Sequence, residues 1–507
     1  MEQICRKQTV AVSRPVMDVQ EEYTLSGDFV LPEYCPDVAV VLKCLITPYI
    51  VSRQWSGDQL MLSGTATVRV LYLDEERQCV REAEFSQPVS CTMHADGQPE
   101  NAMVQIALTP EYANCRATSP RRLEVSGAFL IHASTETAGE LELLSACQDD
   151  SLYTKTATVR TTAPKTCAER ILAINELLDF DSNLPEAEQL LGGECQPSVQ
   201  ECKLLSGKAI VKGQLHIHQL YTDDSRKGST YVLEYDLPFS QILDVEGVQE
   251  GELCTAQVSL LSDTQRLALN STGQNAALEF TAKLLVQVQV YNEGSAELVT
   301  DAFCCRCPAA LETQDLQLRA MTDVQRQTAT VEKDLELPGT DTQEILDIWA
   351  QPMALPGRCE NGKAILEGRL LICLLVRDAD GAVAYYERPE EFRLEYPAQG
   401  DTVQPTYTVT GVRYTVAGGH LQLRVQLQMT LTQWEQCCLS VVRDIALQEE
   451  QAYPADRAAL KLYYAQPGER VFDIARQCHA SPASIKAENE LREDTLPGKT
   501  VLLIPMP

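Results

Sequence analysis

The chain has 507 residues, 44% of them hydrophobic, and a formal net charge of −30 from 42 basic and 72 acidic side chains; a single core does not serve such a length, and about three to five domains are usual. The acidic excess argues against nucleic acid and anionic membranes as partners, since affinity for either rests largely on clustered Lys and Arg. The N-terminal stretch Met1 to Val10 lacks the apolar run of an export signal, and nothing approaches the ~18 to 20 uninterrupted apolar residues of a membrane-spanning helix. The expectation is a cytoplasmic protein without membrane insertion, whose 19 cysteines, set mostly in apolar runs and not recurring with any period, are reduced buried thiols.

In chain order, Thr9 to Val12 reads as a strand leading to Asp28-x-x-Leu31-Pro32. The pentapeptide recurs as Asp181-x-x-Leu184-Pro185 and Asp334-x-x-Leu337-Pro338, with its prolines 153 residues apart each time. That period is domain-sized, far beyond solenoid repeats of about 20 to 50 residues. Downstream of each proline, Gly64, Gly213 and Gly368 sit inside runs of alternating apolar residues, and further alternating runs begin at Leu123, Leu278 and Leu421. Three markers in one order imply three copies of one domain, over 8–155, 156–307 and 308–450, with Phe239-Ser-Gln echoing Phe85-Ser-Gln.

Within the first copy, Pro36-Asp37-Val38 opens a stretch compatible with a short helix or a strand. Asp341 to Trp349 in the third copy has apolar residues spaced as on a helix face, which predicts one short helix per copy. The rest reads as antiparallel strands, the connections being too short and too polar for repeated crossover helices. The fold class expected is therefore mainly β: three tandem β-sandwich or barrel-like domains, each with one short helix, and a small C-terminal unit.

The C-terminal unit is set apart by charge, with six basic and six acidic residues between Lys461 and Pro507. Lys461 to Ala465 reads as a strand, Pro467-Gly468 as a turn and Val471 to Ala475 as a helix. Ser481 can cap a second helix with Pro482 in its first turn, and Thr500 to Pro505 closes the unit as a strand.

Asp28-x-x-Leu31-Pro32, Pro36-Asp37-Val38 and the Gly64 strand together resemble the SPOCS domain of endospore-forming bacteria. Copies two and three depart at the Pro-Asp element. The order of the tail, from Pro467-Gly468-Glu469 through Ile474-Ala475 and Asn489 to Pro497-Gly498 and Ile504-Pro505, is similar to a LysM domain over 461–507. SPOCS copies followed by LysM resemble the spore coat and cortex morphogenetic family whose LysM end grips the coat-basement ATPase. The resemblance implies a non-enzymatic scaffold or adaptor at the forespore and spore coat surface, in the mother-cell cytoplasm, with acidic copies that meet other coat proteins. It further implies a binding groove between two tail loops: Gly468, Glu469, Arg470, Val471 and Phe472 before the first helix, and Asn489, Leu491 and Leu496 after the second. Glycan-binding LysM grooves hold N-acetylglucosamine-containing chains. Here Arg470 and Phe472 replace a small hydroxyl residue and a tryptophan, so protein contact is preferred and peptidoglycan or cortex glycan is the alternative.

Other constellations read as structural. His216 and His218 lie two apart on a strand and share one face, but no third metal ligand accompanies them, so both are expected on a solvent face. In Cys304-Cys305-Arg306-Cys307, strand alternation lets at most Cys305 and Cys307 converge, and a linker with reduced thiols is expected. No nucleophile, phosphate-cradling or metalloprotease motif is present. No catalytic residue, metal or cofactor is expected.

Overall fold

A computed structural model of the chain describes residues 4–75, 79–97, 102–223, 229–337, 342–354, 357–454 and 458–506. Alternating Val, Ile, Leu and Thr residues make its strands long, because one face of each finds an apolar partner while the other stays polar. The first segment runs β1 (Ile4–Val30), β2 (Val38–Ser56), β3 (Gln59–Asp74), β4 (Val80–His94), β5 (Val104–Ser119) and β6 (Arg122–Gln148). The second repeats the order as β7 (Leu152–Asp179), β8 (Ala187–Leu205), β9 (Lys208–Asp223), β10 (Thr230–Asp244), β11 (Cys254–Ala268) and β12 (Ala277–Cys304). The third comprises β13 (Ala309–Glu336), β14 (Thr342–Ala354), β15 (Gly357–Glu360), β16 (Lys363–Asp378), β17 (Val383–Pro397), β18 (Thr402–Ala417) and β19 (His420–Leu447).

Each of the first two segments is a sandwich of two three-stranded antiparallel sheets, β1-β6-β5 on β2-β3-β4 and β7-β12-β11 on β8-β9-β10. In the third, short β15 pairs with both β16 and β18 and joins the two halves into one sheet, the barrel-like variant of the same plan. The mainly β fold class stands. The first core shows the arrangement, with Val68, Val70 and Tyr72 of β3 facing Val125, Phe129 and Ile131 of β6, all buried. Gly64, Gly213 and Gly368 sit at mid-strand because a Cβ there would run into Tyr49 O, Ser198 O and the Phe392 ring.

The expected short helix is absent from every segment among the described residues, and its place is taken by strands β2, β8 and β14. The cause is a pair of bulges near the start of each: Val38/Val40 and Val41/Lys43, Ala187/Gln189 and Leu190/Gly193, Thr342/Glu344 and Ile345/Asp347. Each bulge shifts the inward face by one residue, so Ile345, Leu346, Ile348 and Trp349 acquire a helical spacing within a strand. Asp341 itself lies outside the described residues.

The pentapeptide spacing also proves misleading. The residues that end the long pairings of β1 with β6, β7 with β12 and β13 with β19 are Leu31, Phe180 and Leu337, whose N–H groups bond to Arg121 O, Ala276 O and Gly419 O at 2.9, 2.9 and 3.2 Å. Those positions are 149 and 157 residues apart. Tyr221 donates to Pro185 O as Tyr72 does to Pro36 O, both at 3.1 Å, so Pro185 matches Pro36 and not Pro32. Phe239, opposite Gly213, likewise matches Val89, opposite Gly64. Pro338 lies outside the described residues.

The three segments pack around a common axis. Seven residues beyond each mid-strand glycine stand Leu71, Leu220 and Leu375, which meet in one buried cluster. Leu143, Leu298 and Val441, partners of Gln8, Ala157 and Gln314 in the pairing of each segment's first and last strands, meet in a second with Val10, Val159 and Leu316. Leu144, Val299 and Val442 meet in a third. Equivalent residues from all copies contacting one another are what threefold packing requires. Each such side chain contributes about 1.5–3 kcal/mol by leaving water. Polar pairs flank the axis: Arg81 with Asp74 and Glu188 at 3.0 and 2.9 Å, His218 with Asp347 at 2.9 Å, and Lys43 with Glu387.

Candidate functional site

The tail folds as β20 (Leu460–Ala465), α1 (Val471–Cys478), α2 (Pro482–Glu488) and β21 (Thr500–Pro505). Val471, Ile474 and Ala475 turn inward on α1, Ile485 does so on α2, and all four are essentially inaccessible. The Ser481 hydroxyl accepts the Ser484 N–H at 3.2 Å and Pro482 occupies the first turn, which supplies one of the orphan donors of the helix start with a partner. His479 ends α1 in the left-handed region at φ +52.

The two expected binding loops do come together. Gly468, at φ +87, makes a turn, and its N–H bonds Leu496 O at 2.8 Å. The Leu496 N–H returns to Glu469 O at 2.9 Å, and the Val471 N–H reaches Asp494 O at 2.8 Å. These bonds use the loops' backbone groups on one another. Glu469 accepts from the Tyr463 hydroxyl at 3.1 Å and the Gln466 N–H at 2.7 Å. Asn489 donates to Ile485 O and Leu503 O and accepts from the Leu503 N–H, at 2.8, 2.7 and 2.7 Å, tying α2 to β21. Val471 and Leu496 are core residues and Leu491 packs against that core. Of the eight expected site residues, Arg470 is the one whose side chain stands exposed.

Phe472 points elsewhere. It is 6% exposed and meets the Phe303 ring edge-on at 5.1 Å, with Tyr153 on Phe303 at 5.5 Å. Arg476 pairs with Asp301 and lies 5.5 Å over the Phe472 ring, and Tyr453 stacks on His479 at 3.7 Å. The tail is thereby seated on the end of β12. Nothing in the sequence singles out Phe303, Asp301 or Tyr153 as that seat, because each reads as an ordinary strand residue.

The outer face of β20 and β21 remains open. Leu462 lies opposite Leu503 and Tyr464 opposite Val501, with exposures of 63%, 37%, 72% and 50%, and Leu460 beside them is 49% exposed. Scattered exposed apolar residues are common on proteins, whereas these five gather on one face of one small sheet.

The histidine pair is not solvated as expected. The His216 and His218 side chains are each 12% exposed; His216 bonds Asp236 at 2.9 Å, and His218 crosses to Asp347 of the third segment. Burial works to lower the His218 pKa, but Asp347, Glu234 and Glu194 outweigh it and push it up to about 10. It acts as a cation joining two segments. Burial raises the Glu194 carboxyl beside it. Among the described residues no three His, Cys, Asp or Glu side chains form a metal-binding group. At the end of β12 the chain bends, so strand alternation lapses and Cys304, not Cys305, approaches Cys307, at 3.9 Å. Between the segments lies a cavity of about 780 Å³, lined by uncharged side chains such as Gln105, Gln257, Thr406 and Thr430, with His132, Glu136 and Tyr291 as its charged or titratable members.

No helix among the described residues is long and apolar enough to cross a membrane. No curated protein and no solved structure matches the chain. A family model described as SipL, SPOCS domain matches residues 37–118 and 186–263. The two matches begin at Asp37 and Glu186, just before β2 and β8, and so fall on corresponding parts of the first and second segments. The first and second segments thus each carry a stretch that matches the SPOCS domain of the SipL family.

Proposed function

We propose that the chain is a non-enzymatic scaffold of endospore coat morphogenesis, in which a LysM-like tail over 461–507 docks onto the coat-basement ATPase. In this reading the acidic units at 8–155, 156–307 and 308–450, taken as three SPOCS-like domains, recruit other coat proteins from the mother-cell cytoplasm at the forespore surface. The family carries a sporulation-related role, and that starting point supports the reading. The observation that supports the finer statement is the tail itself: a compact strand–helix–helix–strand unit, seated at one end by Phe472 on Phe303, that keeps Arg470 and an apolar sheet face open.

The test is to offer the full chain purified coat-basement ATPase and, in parallel, purified peptidoglycan. Retention by the ATPase, weakened by Arg470→Glu, is expected. Retention on peptidoglycan with indifference to the ATPase would replace the reading with its alternative, a protein that captures cortex glycan through the tail loops.

A further inference from the structure

In the second segment the two sheets face each other along their edge strands, β8 and β11. Cys202 on β8 and Cys254, the first residue of β11, meet there with their sulfurs 3.6 Å apart. Both are half-buried thiols, within reach of a small reagent. A disulfide brings its sulfurs to about 2.05 Å, so closure asks for a shift of roughly 1.5 Å, and Cys254 stands at a strand start directly after a loop with Gly251 at φ +91.

The surroundings are those of an activated pair. Arg326 on β13, from the third segment, has its Nε and Nη2 buried without a hydrogen-bond partner, and its charge favours the thiolate at both sulfurs. A hydrogen bond from the Cys202 thiol holds Cys254 below its ordinary range, against burial and with the help of Arg326, while Cys202 is raised. A thiolate sharing the proton of a neighbouring thiol beside a cation is the arrangement that makes cysteines react in exchange. By contrast Cys304 and Cys307, 3.9 Å apart, are each 3% exposed and closed to such a reagent.

We propose that Cys202 and Cys254 form a reversible dithiol–disulfide pair that staples the two sheets of the second segment, by exchange with a small-molecule disulfide of the glutathione class. The Cys254 thiolate attacks one sulfur of the small disulfide, breaking its S–S bond and releasing one small thiolate, which takes up a proton. Cys202 then gives its proton to solvent, attacks the Cys254 sulfur and expels the second small thiolate. Two protein thiols are oxidised to one disulfide, and one small disulfide is reduced to two small thiols. The inference is independent of the tail and of any coat partner.

The experiment uses the native full chain, equilibrated in graded mixtures of reduced and oxidised glutathione, quenched, alkylated and mapped by mass spectrometry. The expected result is a cross-linked peptide joining Cys202 to Cys254 at ratios that leave Cys304 and Cys307 as free thiols. Cys202→Ser should accumulate glutathione on Cys254. Arg326→Gln should slow that capture about three- to tenfold at neutral pH and move its pH profile upward. Alkylation of both thiols at every ratio, with native circular dichroism, would overturn the proposal, as would a Cys202→Ser chain that takes up no glutathione on Cys254. An unchanged rate and profile in Arg326→Gln would remove the guanidinium from the account.

Discussion

The three β segments and the tail bury their apolar surface in different ways. Each segment divides its apolar residues between its own sandwich and a shared axis: Val68 and Phe129 belong to the first core, whereas Leu71 and Leu143 meet their counterparts from the other two copies. The tail gathers its apolar residues into one small cluster that also takes in Phe303 and Cys305 at the end of the second segment, where Phe472 meets Phe303. The segments therefore form a body in which each copy depends on the others, and the tail is a module fastened at one place with a face to spare. Such a division suits a scaffold, because a rigid body can hold partners in fixed positions while a seated module makes a separate contact.

The comparison breaks most severely at the axis. Leu220→Asp would place an unpaired charge against Leu71, Leu191 and Leu375 and should cost about 4 kcal/mol or more, seen in denaturant unfolding as a loss of the whole body. Phe472→Ala, by contrast, should cost about 3 kcal/mol and act locally. Hydrogen exchange should quicken in 460–505 while the body keeps its protection; equal loss in both would mean that the tail is no separate module.

A smaller effect concerns the pair between the second and third segments. The folded pKa of His218, pushed up to about 10, lies above its ordinary value of about 6.5. The stability contributed by the pair is fully present below the lower value and is lost as pH rises through the higher one. Unfolding midpoints should fall between these limits, and His218→Gln should flatten that slope; a wild-type stability rising over the same range would contradict the pairing. Smallest is Ser481→Ala, which removes the α2 cap at about 1 kcal/mol and should lower protection in the tail alone.

Much of this plan was legible in the sequence. The mid-strand glycines and the runs at Leu123, Leu278 and Leu421 stand at equivalent positions because each answers a local steric or alternation demand. The tail's strand, two helices and strand were readable from a cap, two turns and a helical stripe. The Asp-x-x-Leu-Pro spacing misled because 149 and 157 average to 153, so a chance match in the second segment, four residues away from the equivalent turn, imitated a period. Bulges hid β14 behind a helical spacing. The axis was invisible for a different reason: Leu71 alternates as any core residue does, and sequence does not say which copy an inward face meets. The same ambiguity turned Phe472 from a groove residue into the tail's fastening, and His218 from a solvated side chain into an ion pair between segments.

The most direct test of the account is the affinity of the full chain for the coat-basement ATPase, measured by titration on the wild type, Arg470→Glu and Leu462→Asp. Both substitutions alter side chains exposed on the tail, so neither should disturb the body. The account predicts that each weakens binding by at least about tenfold, a loss of about 1.4 kcal/mol. Unchanged affinity in both would contradict it and move the docking contact off the tail.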